Sequence, residues 1–432
     1  MSQLKQHFLS MEDFYDENTS ESVLDHTDQI AGLADDYGRQ ESLSGRALET
    51  EQDVLEGVQT DIASLESLIE AICEARDVGL ESISAGLLHR QVQEIQQRYG
   101  VSLKRALPSL EDYHGRTTRL ATTISLEAVG ETLSKVWLWI KAKIKQFWEF
   151  LKKHYHHLTQ NLEALGREVY SVKKTAQRMK FAGGAEIDLG RFARKLEMKG
   201  EVPRDFTSIL QIVGQINQAS EEKMAEFQKI YEEAARGKLN DKYGAVFSER
   251  LVVPRGFSEQ PTQDLASGLK GYVSDLLPGN RVIVTGAFQG DRTQYHQFGE
   301  TMTIRSSIQH IESKPLVNTQ VEAFSSQEVF SLCQRLEKAI VNVRNSRVEI
   351  ENNIKLTEQA IDKIVRDHSD DKEEGKVKRA YRDLIASIWK HSLYSTQLLR
   401  HGESITYDVV VGYLAWARKS IAVNEPKVSE AA

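Results

Sequence analysis

Apolar residues return every three or four positions over three long stretches of this chain, and that spacing constrains the fold more than any other feature. From Ala47 to about Arg76, Leu48, Leu55, Val58, Ile62, Leu65, Ile69 and Ile72 keep the pattern, and only Glu51 breaks it. Between 131 and 162 the series is Leu133, Val136, Trp137, Ile140, Ile144, Phe147, Trp148, Leu151, Tyr155, Leu158 and Leu162. Behind "SSQE" (Ser325 to Glu328) come Val329, Cys333, Leu336, Ile340, Val343, Ile350, Ile354, Ile361 and Ile364, interrupted by Arg347 and Thr357. Steps of three and four place side chains on one stripe of an α-helix, so each stretch predicts a long helix of bundle or coiled-coil type. "SSQE" itself reads as a capping box. Seven prolines in 432 residues leave such helices largely uninterrupted.

Shorter helices are expected at 88–99, 187–198, 205–217, 219–237 and 377–400, with "YDVVVGYLAWARKSIAV" closing the fold. "FAGGAE" should end the helix that begins near 131. Between about 244 and 315 the character changes: "NRVIVTGAF" and "ETMTIRSSIQHI" are β-branched and bounded by Gly, Asn and Asp, which predicts a few strands. Residues 1 to about 44 are acidic and aperiodic and read as mostly disordered or fraying helix. The expected fold is mainly α: an elongated bundle of coiled-coil-like helices with a small β-containing insertion.

Charge divides the chain unevenly. Residues 1–127 hold 24 acids and 10 bases, a balance of −14, whereas 128–432 hold 39 acids and 45 bases, a balance of +6. Such asymmetry reports a tail or a partner rather than a fold. The two cysteines, Cys73 and Cys333, are 260 positions apart, which argues against a disulfide framework or a Cys-based zinc site. The start lacks a secretory signal, and the longest uncharged apolar run, "VVVGYLAWA", is nine residues, too short to span a bilayer.

Signatures of enzymes are missing: GxxxxGK[ST], HExxH and GxSxG do not occur. The chain is therefore read as a non-enzyme that needs no cofactor. His154 and His157 in "KKHYHH" lie one helical turn apart, but zinc takes three or four ligands and no other donor is near. A solvated polar face is the better reading, and no metal is expected.

The helix over 131–158 combines Lys135, Lys141, Lys145 and Lys152 with Trp137 and Trp148. Three readings stay open. It packs as a core helix, the commonest fate of such a stripe; it lies in a membrane interface; or it faces nucleic acid. Just before it comes Ser125-Leu126-Glu127-Ala128, at the point where the charge changes sign and after "TRLATTIS", which leans towards an extended segment a protease could hold. Small-x-Glu tripeptides also occur at Ser10-Met11-Glu12, Ala47-Leu48-Glu49, Ser64-Leu65-Glu66, Gly79-Leu80-Glu81 and Ser109-Leu110-Glu111.

"FLSMEDFYDE" and "ISLEAVGETLSKVWLWIKAKIKQFWEFLKK" resemble the internal head proteins of giant tailed phages of the phiKZ type. The resemblance implies an acidic propeptide that the prohead protease removes after a Ser/Ala/Gly-x-Glu site. Ser125 would take the small position, Leu126 the variable one and Glu127 the residue whose carbonyl is cleaved, so that the mature chain begins at Ala128. It further implies synthesis in the bacterial cytoplasm and a mature part kept inside the virion head, among other head proteins and near packaged double-stranded DNA. The corresponding division is an acidic propeptide (1–127), a basic amphipathic helix and helical region (128–243), the β-containing insertion (244–315) and a C-terminal helical region (316–432). The alternative is a membrane-interface protein acting through helix 131–158, after ejection into the host.

Overall fold

The computed structural model describes residues 26–104, 106–236, 257–260, 269–288, 304–311, 316, 318–368 and 375–424. Long helices dominate it. α1 (His26–Glu74) and α2 (Ser82–Tyr99) come first, followed by α3 (Thr118–Arg178). The short α4 (Ala193–Leu196) leads to α5 (Phe206–Ala235), and α6 (Ser326–His368) and α7 (Gly375–Asn424) complete the chain. The three periodic stretches form parts of α1, α3 and α6, as their spacing predicts. Val58, Ile62, Leu65 and Ile72 of α1 are buried, and so are Val329, Cys333, Leu336, Ile340, Val343, Ile354 and Ile361 of α6. The capping box is formed: Ser325 N–H donates to the Glu328 carboxylate at 2.7 Å, and Glu328 N–H donates back to Ser325 Oγ at 3.3 Å.

Four expectations need correction. Residues 26–44 are the first turns of α1, not a fraying tail, because Ile30, Ala31, Ala34 and Tyr37 find a face to pack on. Over 187–198 the chain forms strand β1 (Glu186–Asp188), a 3-10 turn and α4 in place of one helix. The helices expected at 205–217 and 219–237 are one, α5. Likewise 377–400 and the closing segment are a single helix, α7. Gly402 does not break α7, since its missing Cβ admits α5: a methyl there would lie 2.2 Å from Asn217 Oδ1. Asn217 Nδ2 then donates to Thr406 Oγ1 at 2.9 Å, and packing offsets the helical cost of glycine, about 1 kcal/mol.

The insertion forms a four-stranded antiparallel sheet in the order β2 (Phe257–Gln260), β3 (Leu269–Ser274), β4 (Arg281–Phe288) and β5 (Ile304–His310). A second ladder pairs β1 with β6 (Gln320–Glu322) in the register Ile187↔Val321. The break at "FAGGAE" makes that pairing possible. Gly183 has φ 78° and passes the backbone of Ala323–Ser325 so closely that any Cβ would collide.

α7 is the centre of the molecule. Ile388, Trp389, Leu398, Val410, Leu414, Trp416 and Ala417 are almost fully buried, with α1, α3, α5, α6 and β5 packed around the helix. Buried polar groups on it bond to β4 and β5. Tyr394 Oη meets Thr285 Oγ1 at 3.1 Å, Ser306 N–H donates to Gln397 Oε1 at 3.4 Å, and His401 Nε2–H donates to the Ser306 carbonyl at 3.1 Å.

Burial, reinforced by the neighbouring Arg400, pushes the His401 pKa down to about 3. The unfolded chain takes up this proton near pH 6.5. The folded chain therefore binds fewer protons below that pH, and stability is lost as the medium is acidified from pH 6.5 towards 3. His401→Gln is expected to gain urea stability relative to the parent between about pH 6.5 and pH 4.5. Parallel pH profiles for the two chains would contradict this.

Candidate functional site

Ser125, Leu126, Glu127 and Ala128 lie within α3, which starts at Thr118 and runs through the charge switch without a break. The extended segment expected over "TRLATTIS" is therefore helix. Its physical cause is an apolar face that the extended reading overlooked: Ala121, Thr122, Ser125, Ala128 and Val129 recur at helical spacing and are all buried. Ser125 is 0 % exposed and Ala128 5 %, while the Glu127 side chain points outward.

The segment before α3 clamps this turn. The Leu80 N–H donates to Thr122 Oγ1 at 3.0 Å, and Gln96 Nε2 donates to Thr132 Oγ1 at 2.9 Å. Tyr113, at the end of a 3-10 turn (Leu110–Tyr113), places its hydroxyl against Ser125 Oγ and 3.1 Å from His89 Nε2. Burial raises the Tyr113 pKa and lowers that of His89, so this small network is neutral at pH 7. Lower on the same side, the Lys104 N–H donates to the Glu131 carboxylate at 3.1 Å. Glu131 is held below the usual carboxylate range, chiefly by the bond from Lys135.

The basic helix is partitioned by the fold. Trp148 is fully buried beside Phe147, and Trp137 is half-buried against the core. Trp139 meets Tyr99 edge-on at 4.8 Å, with Lys143 Nζ 5.5 Å from its ring centre. Lys135 pairs with Glu131 at 2.7 Å, Lys141 with Asp362 at 2.6 Å, and Lys145 is exposed. The side chains of Lys152, His154 and His157 lie outside the described residues. This is the core-helix pattern: the Trp148 ring that a bilayer reading requires at the surface is inside the protein. No described helix is long and apolar enough to cross a membrane. Among the described residues no group of three His, Cys, Asp or Glu side chains is arranged to hold a metal.

A contact that the residue pattern did not locate joins the acidic segment to the basic body. α1 lies along α3 and α7, where Tyr37 stacks on Tyr407 with ring centres 3.7 Å apart. Glu41 Oε1 stands 3.5 Å from Arg400, and Asp35 Oδ2 stands 3.4 Å from Arg191. Tyr407 Oη donates to the Leu33 carbonyl at 3.1 Å. Beside this seam a cleft of about 400 Å³ is lined by Glu41, Lys195, Arg281, Arg400 and Asp408. The signal was latent in the opposite charges of the two parts, but nothing local in either names its partner.

No curated protein and no solved structure matches the chain. A family model does: that of the phiKZ-like phage internal head proteins, over residues 16–404. The match spans the acidic segment from residue 16, the clamped turn, the basic helix and most of the C-terminal helices. The chain therefore belongs to the phiKZ-like phage internal head proteins.

Proposed function

We propose that this internal head protein is a structural precursor, packaged in the prohead and matured by the head protease through cleavage after Glu127. It is a substrate in that reaction, not a catalyst. The mature part from Ala128 stays in the head near the packaged DNA, among other head proteins, after synthesis in the bacterial cytoplasm.

The observation that carries this reading is the seam between α1 and the body. Acidic side chains of the −14 segment lie on arginines of the +6 remainder, as in Asp35 with Arg191 and Glu41 with Arg400. A segment placed there masks basic groups from a polyanion until it is removed. Once it is gone, Arg400, 10 % exposed beneath Glu41, is uncovered, and Arg191, already 57 % exposed, loses its acidic neighbour, so both can meet phosphates or acidic faces of neighbouring head proteins.

The test is the N-terminus and intact mass of the protein taken from mature particles. A chain beginning at Ala128 is the expected result. A chain still beginning at Met1 or Ser2 would remove the precursor reading.

A further inference from the structure

Six small-x-Glu tripeptides lie in residues 1–127, and the fold treats them very differently. Ser10-Met11-Glu12 is outside the described residues. Ala47-Leu48-Glu49 and Ser64-Leu65-Glu66 sit inside α1 with Leu48 and Leu65 buried. In Gly79-Leu80-Glu81, Leu80 is 9 % exposed and its N–H is bonded to Thr122. Ser125-Leu126-Glu127 is the clamped helical turn of α3. Among the described tripeptides Ser109-Leu110-Glu111 is the exception: all three residues are exposed, Leu110 at 46 %, on the link between α2 and α3.

A protease holds its substrate extended across several residues, so the cost of presenting a site is the cost of unfolding it. At 109–111 less has to be undone: the three residues are exposed, and the one buried side chain close to the bond is Tyr113 on its far side. Ser109 already has extended backbone (φ −65°, ψ 155°) and leads into a four-residue 3-10 turn closed by the Ser109–Asp112 capping box. Around Glu127 an interior stretch of a 61-residue helix must open, drawing Thr122, Ser125, Ala128 and Val129 out of the core. While the link to α2 is intact, that stretch is tethered at both ends. Charge does not favour the later site: residues 1–111 hold 22 acids and 8 bases, the same −14 as residues 1–127.

We propose, resting on the precursor reading, that the fold imposes an order on processing: the bond after Glu111 is cut first, and that cut makes Glu127 accessible. Hydrolysis breaks the Glu111–Asp112 C–N bond, with water supplying OH to the Glu111 carbonyl carbon and H to the new Asp112 amine. Residues 112–124 then form a free end. Tyr113 is no longer held in place by its link to α2, and the start of α3 frays towards Ser125 as chain termini do. The tripeptide at 109–111 is thus the gate to the one at 125–127.

The test tracks N-termini by mass spectrometry in heads sampled through maturation, for the parent chain, Glu111→Gln and Glu127→Gln. The Asp112 terminus is expected before the Ala128 terminus in the parent and is expected to accumulate in Glu127→Gln. In Glu111→Gln, formation of the Ala128 terminus is expected to slow by about tenfold or more, since access now requires opening a tethered helix. An Ala128 terminus forming at the parental rate in Glu111→Gln would overturn the order while leaving the precursor reading intact. Absence of any new terminus in the parent would overturn both.

Discussion

Cut after Glu127 in free solution, the protein is expected to remain one particle on a sizing column and to separate only in denaturant. The reason lies in what α1 covers. Ile30, Leu48, Val58, Leu65 and Ile72 are between 0 and 2 % exposed. At about 1.5 to 3 kcal/mol for each buried side chain, these five alone supply on the order of 10 kcal/mol of gross burial. The Tyr37–Tyr407 stack and the Glu41–Arg400 pair add to it. Breaking one peptide bond removes none of these contacts. Conversely, a chain comprising 128–432 made alone is expected to bind hydrophobic dyes and to aggregate, because its α3 and α7 faces lose their cover. Fragments that part at neutral pH without denaturant, or a monomeric and dye-silent 128–432, would show that α1 is only loosely held. Under the precursor reading, maturation then needs further degradation of the segment, or head proteins that take over its face.

Asp408→Ala is expected to destabilise the full chain by about 3 to 5 kcal/mol, read as a lower urea midpoint, because it orphans buried charge. Asp408 on α7 receives Lys195 from α4 and Arg281 from the start of β4, the latter at 2.6 Å. The Arg281 side chain is 9 % exposed, so without Asp408 its guanidinium stays desolvated, with the Pro278 carbonyl its one remaining hydrogen-bond partner among the described residues. This carboxylate also ties the β-sheet to the central helix, so loss of sheet order should accompany the loss of stability. Replacing both partners, as Arg281→Met with Asp408→Leu, is expected to recover most of the difference, since the buried guanidinium is gone and Lys195, the other partner of Asp408, is 28 % exposed and can turn to water. A single variant within about 1 kcal/mol of the parent would mean that water reaches Arg281.

The legibility of this protein in its sequence depends on the range of the interactions involved. The stripes in α1, α3 and α6, the capping box at Ser325 and the strands around "NRVIVTGAF" were readable because each is set by residues within a few positions of one another. Gly183-Gly184 marked a break for the same reason, as a backbone requirement carried by the residues themselves. The continuity of α7 past Gly402 was not readable for the complementary reason: what favours a glycine inside that helix is Asn217, 185 positions away.

The candidate site divides along the same line. Local pattern along the chain was enough for the long helices, the small β insertion, the opposite charges of the two parts and the resemblance to internal head proteins. Packing between distant parts of the chain settled that Ile30, Ala31, Ala34 and Tyr37 join the core, that Trp148 faces inward, and that Ser125 lies under Tyr113 while Ser109-Leu110-Glu111 stands open. A tripeptide carries its chemistry wherever it occurs. Its accessibility is a property of what packs on it, and those partners come from parts of the chain that no local pattern can name.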